Sequence, residues 1–357
     1  MLPYLIVGIV GVLFATLDLF KLSRGLKHFC FFLLFIFLAM FVGVRDQIGF
    51  DWNNYAEIYD HAKSGTDSGH LVEFGYLWLN EIFAKLHFSF NSLVLFVAIV
   101  SLGLKFFFIG KTFDFIFVPM LFYLAYYLIE YEMSGMRQSV AMGFGMISLI
   151  WVRNKHFLRF LFCIILGAMF HISILFFWPI YFLNKINFSF STYAIILAAG
   201  LFLVFFNLMD FLLGLATSVP LGSFIMQKIN SYTRVSSAAG FTIGHAIYVA
   251  FAILFIYYKR IVNDSFYNTL LNGFIVGIFF SLIFSGSLSV LNRLTYYYLM
   301  LGGFLFAYVL AYTRSRANKL VLFAAVSFFF LVKIAESVYA PDAQKYYRPY
   351  TTFLDKD

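Results

Sequence analysis

Three arginines, Arg45, Arg137 and Arg293, stand at the edges of long apolar runs. Arg137 is followed by Gln138 and then by an unbroken apolar stretch, and is preceded by Glu130, Glu132 and Met133-Ser134-Gly135-Met136. A charged side chain in or beside a membrane span is costly unless it is paired or faces water, so it is a functional hypothesis by default. A guanidinium at a helix N-terminus adds a bidentate fork to free N–H groups and a favourable dipole, which suits phosphate. The competing reading is a snorkelling arginine paired with Glu130 or Glu132. Arg293 has the same setting in Ser289-Val290-Leu291-Asn292-Arg293-Leu294-Thr295-Tyr296-Tyr297-Tyr298. For the three together, the alternative to an anionic ligand is a set of unrelated structural ion pairs.

Arg45 leads the segment Arg45-Asp46-Gln47-Ile48-Gly49-Phe50-Asp51-Trp52-Asn53-Asn54-Tyr55. Carboxylates and amides hydrogen-bond hydroxyls and aromatic faces stack on sugar C–H surfaces, so this mixture could hold a glycan. Alternatively it is an interfacial loop with Trp52 and Tyr55 at headgroup depth. Glu73-Phe74-Gly75-Tyr76 begins a stretch, 71–87, whose apolar residues recur at helical spacing and predict an interfacial helix. Glu81 reads as a solvated position; Glu73, beside a Gly–Tyr pair, reads as functional. His171, in Phe170-His171-Ile172-Ser173, is a general base, a phosphate donor or a structural partner at a helix break. His245 shares that ambiguity. The tail Tyr346-Tyr347-Arg348-Pro349-Tyr350 reads as a membrane-surface anchor or as part of the site through Tyr350. Walker A, His-Glu-x-x-His and Gly-x-Ser-x-Gly patterns are absent, and no metal cluster is recognisable.

The elements carrying these residues are set by composition. The chain has 357 residues, 62% hydrophobic and 12% charged, with mean hydropathy +0.88. An ordinary soluble domain is about half apolar and a quarter charged. A soluble enzyme, a disordered chain and a disulfide scaffold are thereby excluded; Cys30 and Cys163 both lie in apolar runs. The expectation is an all-α polytopic membrane protein of about ten to twelve spanning segments, read at 3–20, 28–44, 91–110, 114–131, 135–152, 191–209, 241–258, 266–286, 294–312 and 318–335. The apolar stretch 157–184 is too long for one span. Charge parity makes it a broken or re-entrant pair with its turn near His171. The net charge of +8 is read as a positive-inside signature rather than a nucleic-acid partner. Lys21/Arg24/Lys27, Lys105/Lys111, Arg153/Lys155/Arg159, Lys185, Lys259/Arg260 and Arg314/Arg316/Lys319 then fall inside. Both termini, the loop 45–90, a second loop 210–240 and the tail 336–357 fall outside, as elaborations of a single membrane domain covering 1–357.

In order, Arg45…Gly49-x-Asp51-Trp52…Tyr55, Glu73-x-Gly75-Tyr76, Arg137-Gln138, Phe170-His171-x-Ser173, Arg293 and Pro349-Tyr350 resemble the EpsG-like branch of Wzy polysaccharide polymerases. The resemblance runs from the N-terminal basic hinge to the tail. Phe50 stands where the family often has Thr, which leaves no hydroxyl there. The resemblance implies a GT-C-like, metal-independent glycosyltransferase at the periplasmic face of a bacterial inner membrane, using no cofactor. It would polymerise undecaprenyl-diphosphate-linked oligosaccharide units into O-antigen, capsule or exopolysaccharide. Its partners would be lipid-linked donor and acceptor, membrane lipids, and a chain-length regulator and flippase of the same route. Arg45, Arg137 and Arg293 would then bind diphosphate. Asp51, Glu73 and His171 are the candidates to orient or deprotonate the acceptor hydroxyl, and Gln138, Trp52, Tyr55, Tyr76 and Tyr350 would contact glycan or phosphate. Two rivals remain: a lipid-linked sugar flippase or transporter, and an O-antigen-ligase-like transferase.

Overall fold

A computed structural model describes residues 2–66, 72–205, 240–285 and 291–355. The helices are α1 (Leu2–Thr16), α2 (Arg24–Gly43), α3 (Trp52–Ser64), α4 (Phe74–Lys85), α5 (Phe90–Thr112), α6 (Phe117–Tyr127), α7 (Met136–Arg153), α8 (Phe157–Ala168), α9 (Ile180–Leu183) and α10 (Phe190–Phe205). They continue as α11 (Ile243–Tyr258), α12 (Ser265–Ile283), α13 (Asn292–Leu299), α14 (Leu301–Tyr312), α15 (Arg316–Tyr339) and α16 (Pro341–Tyr347). The chain is an all-α polytopic membrane protein. Among the described residues, six segments are long and apolar enough to cross a bilayer: Leu2–Leu19, Arg24–Gly43, Phe90–Thr112, Ser265–Ile283, Asn292–Tyr312 and Arg316–Tyr339. The remaining sequence-read spans are shorter apolar helices or the α6–α7 pair. The expected loop at 210–240 lies, except for Gly240, outside the described residues, as do Ser289 and Val290 beside Arg293.

The described chain forms two compact units, residues 1–178 with 306–357, and residues 179–305. In the first, α1 packs on α6 and α15, α2 on α5, α5 on α7, and α7 on α8. The N-terminus of α6 has no local side-chain cap. Asp18 supplies one from a distance. Its buried carboxylate accepts the N–H groups of Ile116, Phe117 and Val118 at 3.1, 2.8 and 3.0 Å and pairs with Lys27 at 2.8 Å. A negative group facing free N–H donors at a helix start satisfies the helix dipole and three otherwise orphaned donors at once.

The far end of α6 runs into a π-turn, Leu128–Glu132, before a tight turn leads into α7. The π-turn points Glu132 into the bundle. There its carboxylate meets Lys105 Nζ at 2.8 Å, with side-chain exposures of 1% and 0%. Tyr123 donates to the same carboxylate at 2.8 Å and Ser101 at 3.2 Å, and Lys105 donates to the Ser139 carbonyl at 2.8 Å. This corrects one expectation: Lys105 does not join Lys111 in a cytoplasmic basic cluster. It also takes Glu132 out of the competing reading of Arg137, since Glu132 pairs with Lys105. Desolvating both ions costs on the order of several kcal/mol each, so the pair persists only because its remaining hydrogen-bonding capacity is also met.

The stretch 157–184 breaks as charge parity requires. Helix α8 ends at Ala168, residues Met169–His171 turn, and a 3₁₀ segment Ile172–Phe177 precedes α9. In the second unit α12 is the central helix, with α10, α11 and α13 against it. Asn272 ties α12 to its neighbours: its carbonyl accepts from Tyr193 at 2.7 Å and its amide donates to the Leu183 and Ile186 carbonyls. His245 closes a capping box with Thr242 at the start of α11, and its Nε2 faces the Ser281 carbonyl at 3.2 Å. His245 is thus a structural residue of a helix start.

Candidate functional site

Four of the sequence motifs meet in the first unit, around the N-terminus of α7. Residues 45–50 leave α2 without regular structure and are held by their backbone. Gly49 has φ +122°, and a Cβ there would lie 2.0 Å from the Met133 carbonyl oxygen, so only glycine fits. Its N–H donates to the Tyr346 carbonyl at 3.0 Å, and the Phe50 N–H donates to Ser134 Oγ at 2.9 Å. The loop is therefore clamped between the α6–α7 turn and the tail. Asp51 then takes the N-cap position of α3, half-buried, without a capping hydrogen bond from its side chain.

Helix α3 was not foreseen; its polar residues concealed an amphipathic helix. Its buried face carries Trp52, Tyr55, Ile58 and Tyr59, which pack with Tyr76, Leu93, Val94, Val97, Met136 and Val140. Trp52 has one ring contact to Phe90 at 5.1 Å and the Arg45 guanidinium over it at 5.6 Å. Tyr55 packs edge-on against Tyr76 at 5.4 Å. All three aromatics are buried and form the floor of the site rather than a sugar-stacking surface. The opposite face of α3 carries Asn53, Glu57, Asp60, His61 and Ser64 along a surface groove of about 350 Å³.

Above that floor Arg137, second residue of α7, forms a salt bridge to Glu73 at 2.5 Å; the two side chains are 21% and 19% exposed. The guanidinium also lies over the Tyr55 ring, centroid distance 5.8 Å. The Tyr55 hydroxyl is hydrogen-bonded to Arg137 through both its backbone and its side chain; burial pushes that hydroxyl's pKa up, and Arg137 opposes the shift. Arg137 Nε is buried with no hydrogen-bond partner. A buried, unpaired guanidinium donor is expensive to leave unmet. Gln138, next along α7, is buried at 3% exposure.

Glu73 does a second job. Its other oxygen accepts the Ile172 N–H at 3.1 Å, across the break that follows α8. Two residues on, the Gly75 N–H donates to the Met169 carbonyl at 2.8 Å, and a Cβ on Gly75 would lie 2.8 Å from that oxygen. The Glu-x-Gly pattern is therefore a docking motif: it seats the start of α4 on the 169–172 turn and aims the carboxylate at Arg137. His171 is the N-cap of the 3₁₀ segment, with Nδ1 accepting the Ser173 N–H at 3.3 Å and 2.6 Å from Ser173 Oγ. The His-x-Ser motif thus shapes the turn that Glu73 holds.

Arg45 and Tyr350 belong to the 45–50 loop and to the tail that clamps it. Arg45 is 1% exposed and donates to the Ile48 and Val42 carbonyls, with its NH2 group unpartnered. Burial pushes its guanidinium pKa down to about 10. Tyr350 stacks on Phe41 at 4.7 Å, donates to the Phe41 carbonyl at 2.6 Å, and has its hydroxyl pushed up to about 12 by burial. Tyr347 OH lies 2.5 Å from Ser134 Oγ, and the Thr351 hydroxyl donates to the Asp46 carbonyl at 2.8 Å. The tail thus folds back over the 45–50 loop instead of lying as a separate anchor. Arg293 is exposed, second residue of α13 in the other unit. Lys105, Glu132 and Tyr123 were missed as a cluster, although an ionisable residue inside an apolar run is itself the signal.

The chain belongs to the EpsG family, a Wzy-like polysaccharide polymerase family: the family model matches residues 28–352, from the start of α2 to the tail. No curated protein and no solved structure matches the chain. The match covers all four converging motifs. Family and fold together make the chain a membrane-embedded polymerase of polysaccharide biosynthesis, a glycosyltransferase-like enzyme.

Proposed function

We propose that this EpsG-family protein is a GT-C-like glycosyltransferase that joins oligosaccharide units carried on undecaprenyl diphosphate, at the periplasmic face of a bacterial inner membrane. The observation that carries the reading is Arg137. It is a half-buried guanidinium at a helix start, aimed by Glu73, with a donor still unmet. A diphosphate leaving group develops charge as the glycosidic bond breaks, and a preorganised cationic donor stabilises that charge.

In the reaction, the acceptor sugar hydroxyl attacks the anomeric carbon of the donor glycan. The anomeric C–O bond to the diphosphate breaks, and the hydroxyl proton passes to a base. Arg137 is assigned to the leaving diphosphate. Glu73, with one oxygen on Arg137 and the other on the Ile172 N–H, is assigned as the positioning residue that holds the guanidinium, and Asp51 at the start of α3 is assigned to the acceptor proton. His171 has its Nδ1 committed to Ser173 and is assigned to shaping the turn. Arg45, Trp52, Tyr55, Tyr76 and Tyr350 support the site from beneath. The polar groove along α3 offers carboxylate, amide and imidazole groups to glycan hydroxyls. Whether the product is O-antigen, capsule or exopolysaccharide is set by the repeat unit offered.

The test is polymer length in cells expressing Arg137→Ala or Glu73→Gln, with membrane abundance measured alongside. The expected result is normal protein level with loss of long-chain product for Arg137→Ala and a partial loss for Glu73→Gln. Normal chain length from Arg137→Ala would remove the diphosphate assignment. Vectorial movement of lipid-linked units in proteoliposomes, without longer glycans, would replace the polymerase by a flippase.

A further inference from the structure

A second site lies in the first unit, where α2 begins and α5 ends. Both helices are long and apolar enough to span a bilayer, so this end lies at a membrane–water boundary. A cavity of about 240 Å³ opens there, lined by Leu22, Arg24, Lys27, His28, Gly110, Lys111, Thr112, Phe113, Asp114 and Ile116. It adjoins a second, apolar cavity of about 230 Å³ lined by His28, Phe31, Phe32, Phe35, Gly103 and Phe106. His28 lines both. Its ring is fixed between them, with Nδ1 2.9 Å from the Arg24 carbonyl and Nε2 3.1 Å from the Gly110 carbonyl.

The polar cavity is cationic with its cations unevenly committed. Lys27 is held by Asp18 at 2.8 Å and by the Asp114 carbonyl. Arg24 and Lys111 are exposed, and among the described residues neither forms an ion pair. Asp114 is the one carboxylate in the lining. Basic pockets between spanning helices at the membrane surface attract anionic headgroups, and each nearby Lys or Arg adds about fivefold in affinity. The apolar cavity continues the site along the helices, and Gly103 keeps it open: a Cβ there would meet nothing nearer than Phe35 at 3.9 Å.

We propose that these paired cavities bind one anionic phospholipid, the phosphate headgroup against Arg24 and Lys111 and an acyl chain along Phe32, Phe35 and Gly103. A free phosphate would use only the first cavity; the adjoining apolar one is what selects a lipid. The site is separate from the Arg137–Glu73 site and independent of its assignment.

The experiment is native mass spectrometry of the purified full chain with phosphatidylglycerol and phosphatidylcholine in competition. Wild type should retain phosphatidylglycerol preferentially. Arg24→Gln/Lys111→Gln should lower that preference by roughly twenty-five-fold, two cations at about fivefold each. The charge-matched control Arg153→Gln/Lys155→Gln should leave it in place. Gly103→Leu, which fills the apolar cavity without removing charge, should also abolish retention, while Gly103→Ala should keep it. An equal loss in the control pair would mean a diffuse surface attraction, and unchanged preference in the Arg24/Lys111 variant would remove the site. Full displacement of the lipid by inorganic phosphate would reduce it to a free-anion pocket; any of these three results overturns the proposal.

Discussion

Arg137 and Glu73 depend on each other, because each is four-fifths covered and each has a second partner that fixes its direction. Removing the guanidinium should remove one preorganised donor from the leaving group. Such donors are worth about 10²–10³ in turnover. Arg137→Ala is therefore expected to lower the elongation rate about 100-fold or more in a chain-elongation assay. Arg137→Lys keeps the charge but loses the fork that reaches Glu73 and phosphate together, so it should recover only part of the loss. Gly75→Ala probes the same pair from a distance. The added methyl meets the Met169 carbonyl, so α4 must lift from the 169–172 turn. Overpacking of this kind costs about 1–3 kcal/mol. A lowered unfolding midpoint, with elongation reduced in parallel, is the expected outcome; an unchanged midpoint would mean that the turn yields freely.

At the scale of elements, the Lys105–Glu132 pair joins α5 to the π-turn that launches α7. Breaking a buried pair from one side leaves an uncompensated charge and costs about 3–5 kcal/mol, whereas replacing both ions by apolar groups is often near neutral. Lys105→Met and Glu132→Leu should each destabilise the protein strongly. The double substitution should recover much of that stability in a thermal-unfolding comparison. Additive losses would show that the two side chains act separately. The sequence made the apolar helices legible because a 20-residue apolar run has few other fates. It also located the break within 157–184, since charge parity demanded a turn near His171. It misplaced Lys105, because a lysine near a helix end reads as an interfacial charge until its partner is seen. It hid α3, because a short helix with a polar outer face looks like a loop. Trp52, Tyr55 and Tyr76 stood out in the sequence, but not as buried packing residues: an aromatic that stacks on a ligand and one that packs on a neighbour look alike in one dimension.

At the scale of the molecule, the family match and the apolar helices make this a membrane enzyme of polysaccharide synthesis, and the charge pattern predicts which face holds the Arg137 site. A single cysteine at Ser64, on the exposed C-terminal turn of α3, should react with a membrane-impermeant reagent from the periplasmic side of intact cells. Labelling only after the inner membrane is opened would invert the orientation and place the site on the cytoplasmic face. The central claim, that Arg137 serves glycan transfer from a lipid diphosphate, is tested most directly with purified protein in lipid nanodiscs and defined undecaprenyl-diphosphate-linked repeat units. Glycan length is read by gel or mass spectrometry against time. Wild type is predicted to yield a ladder of longer lipid-linked glycans, and Arg137→Ala to leave the input units unchanged while remaining folded. A ladder of equal length and rate from the Arg137→Ala protein would contradict the account.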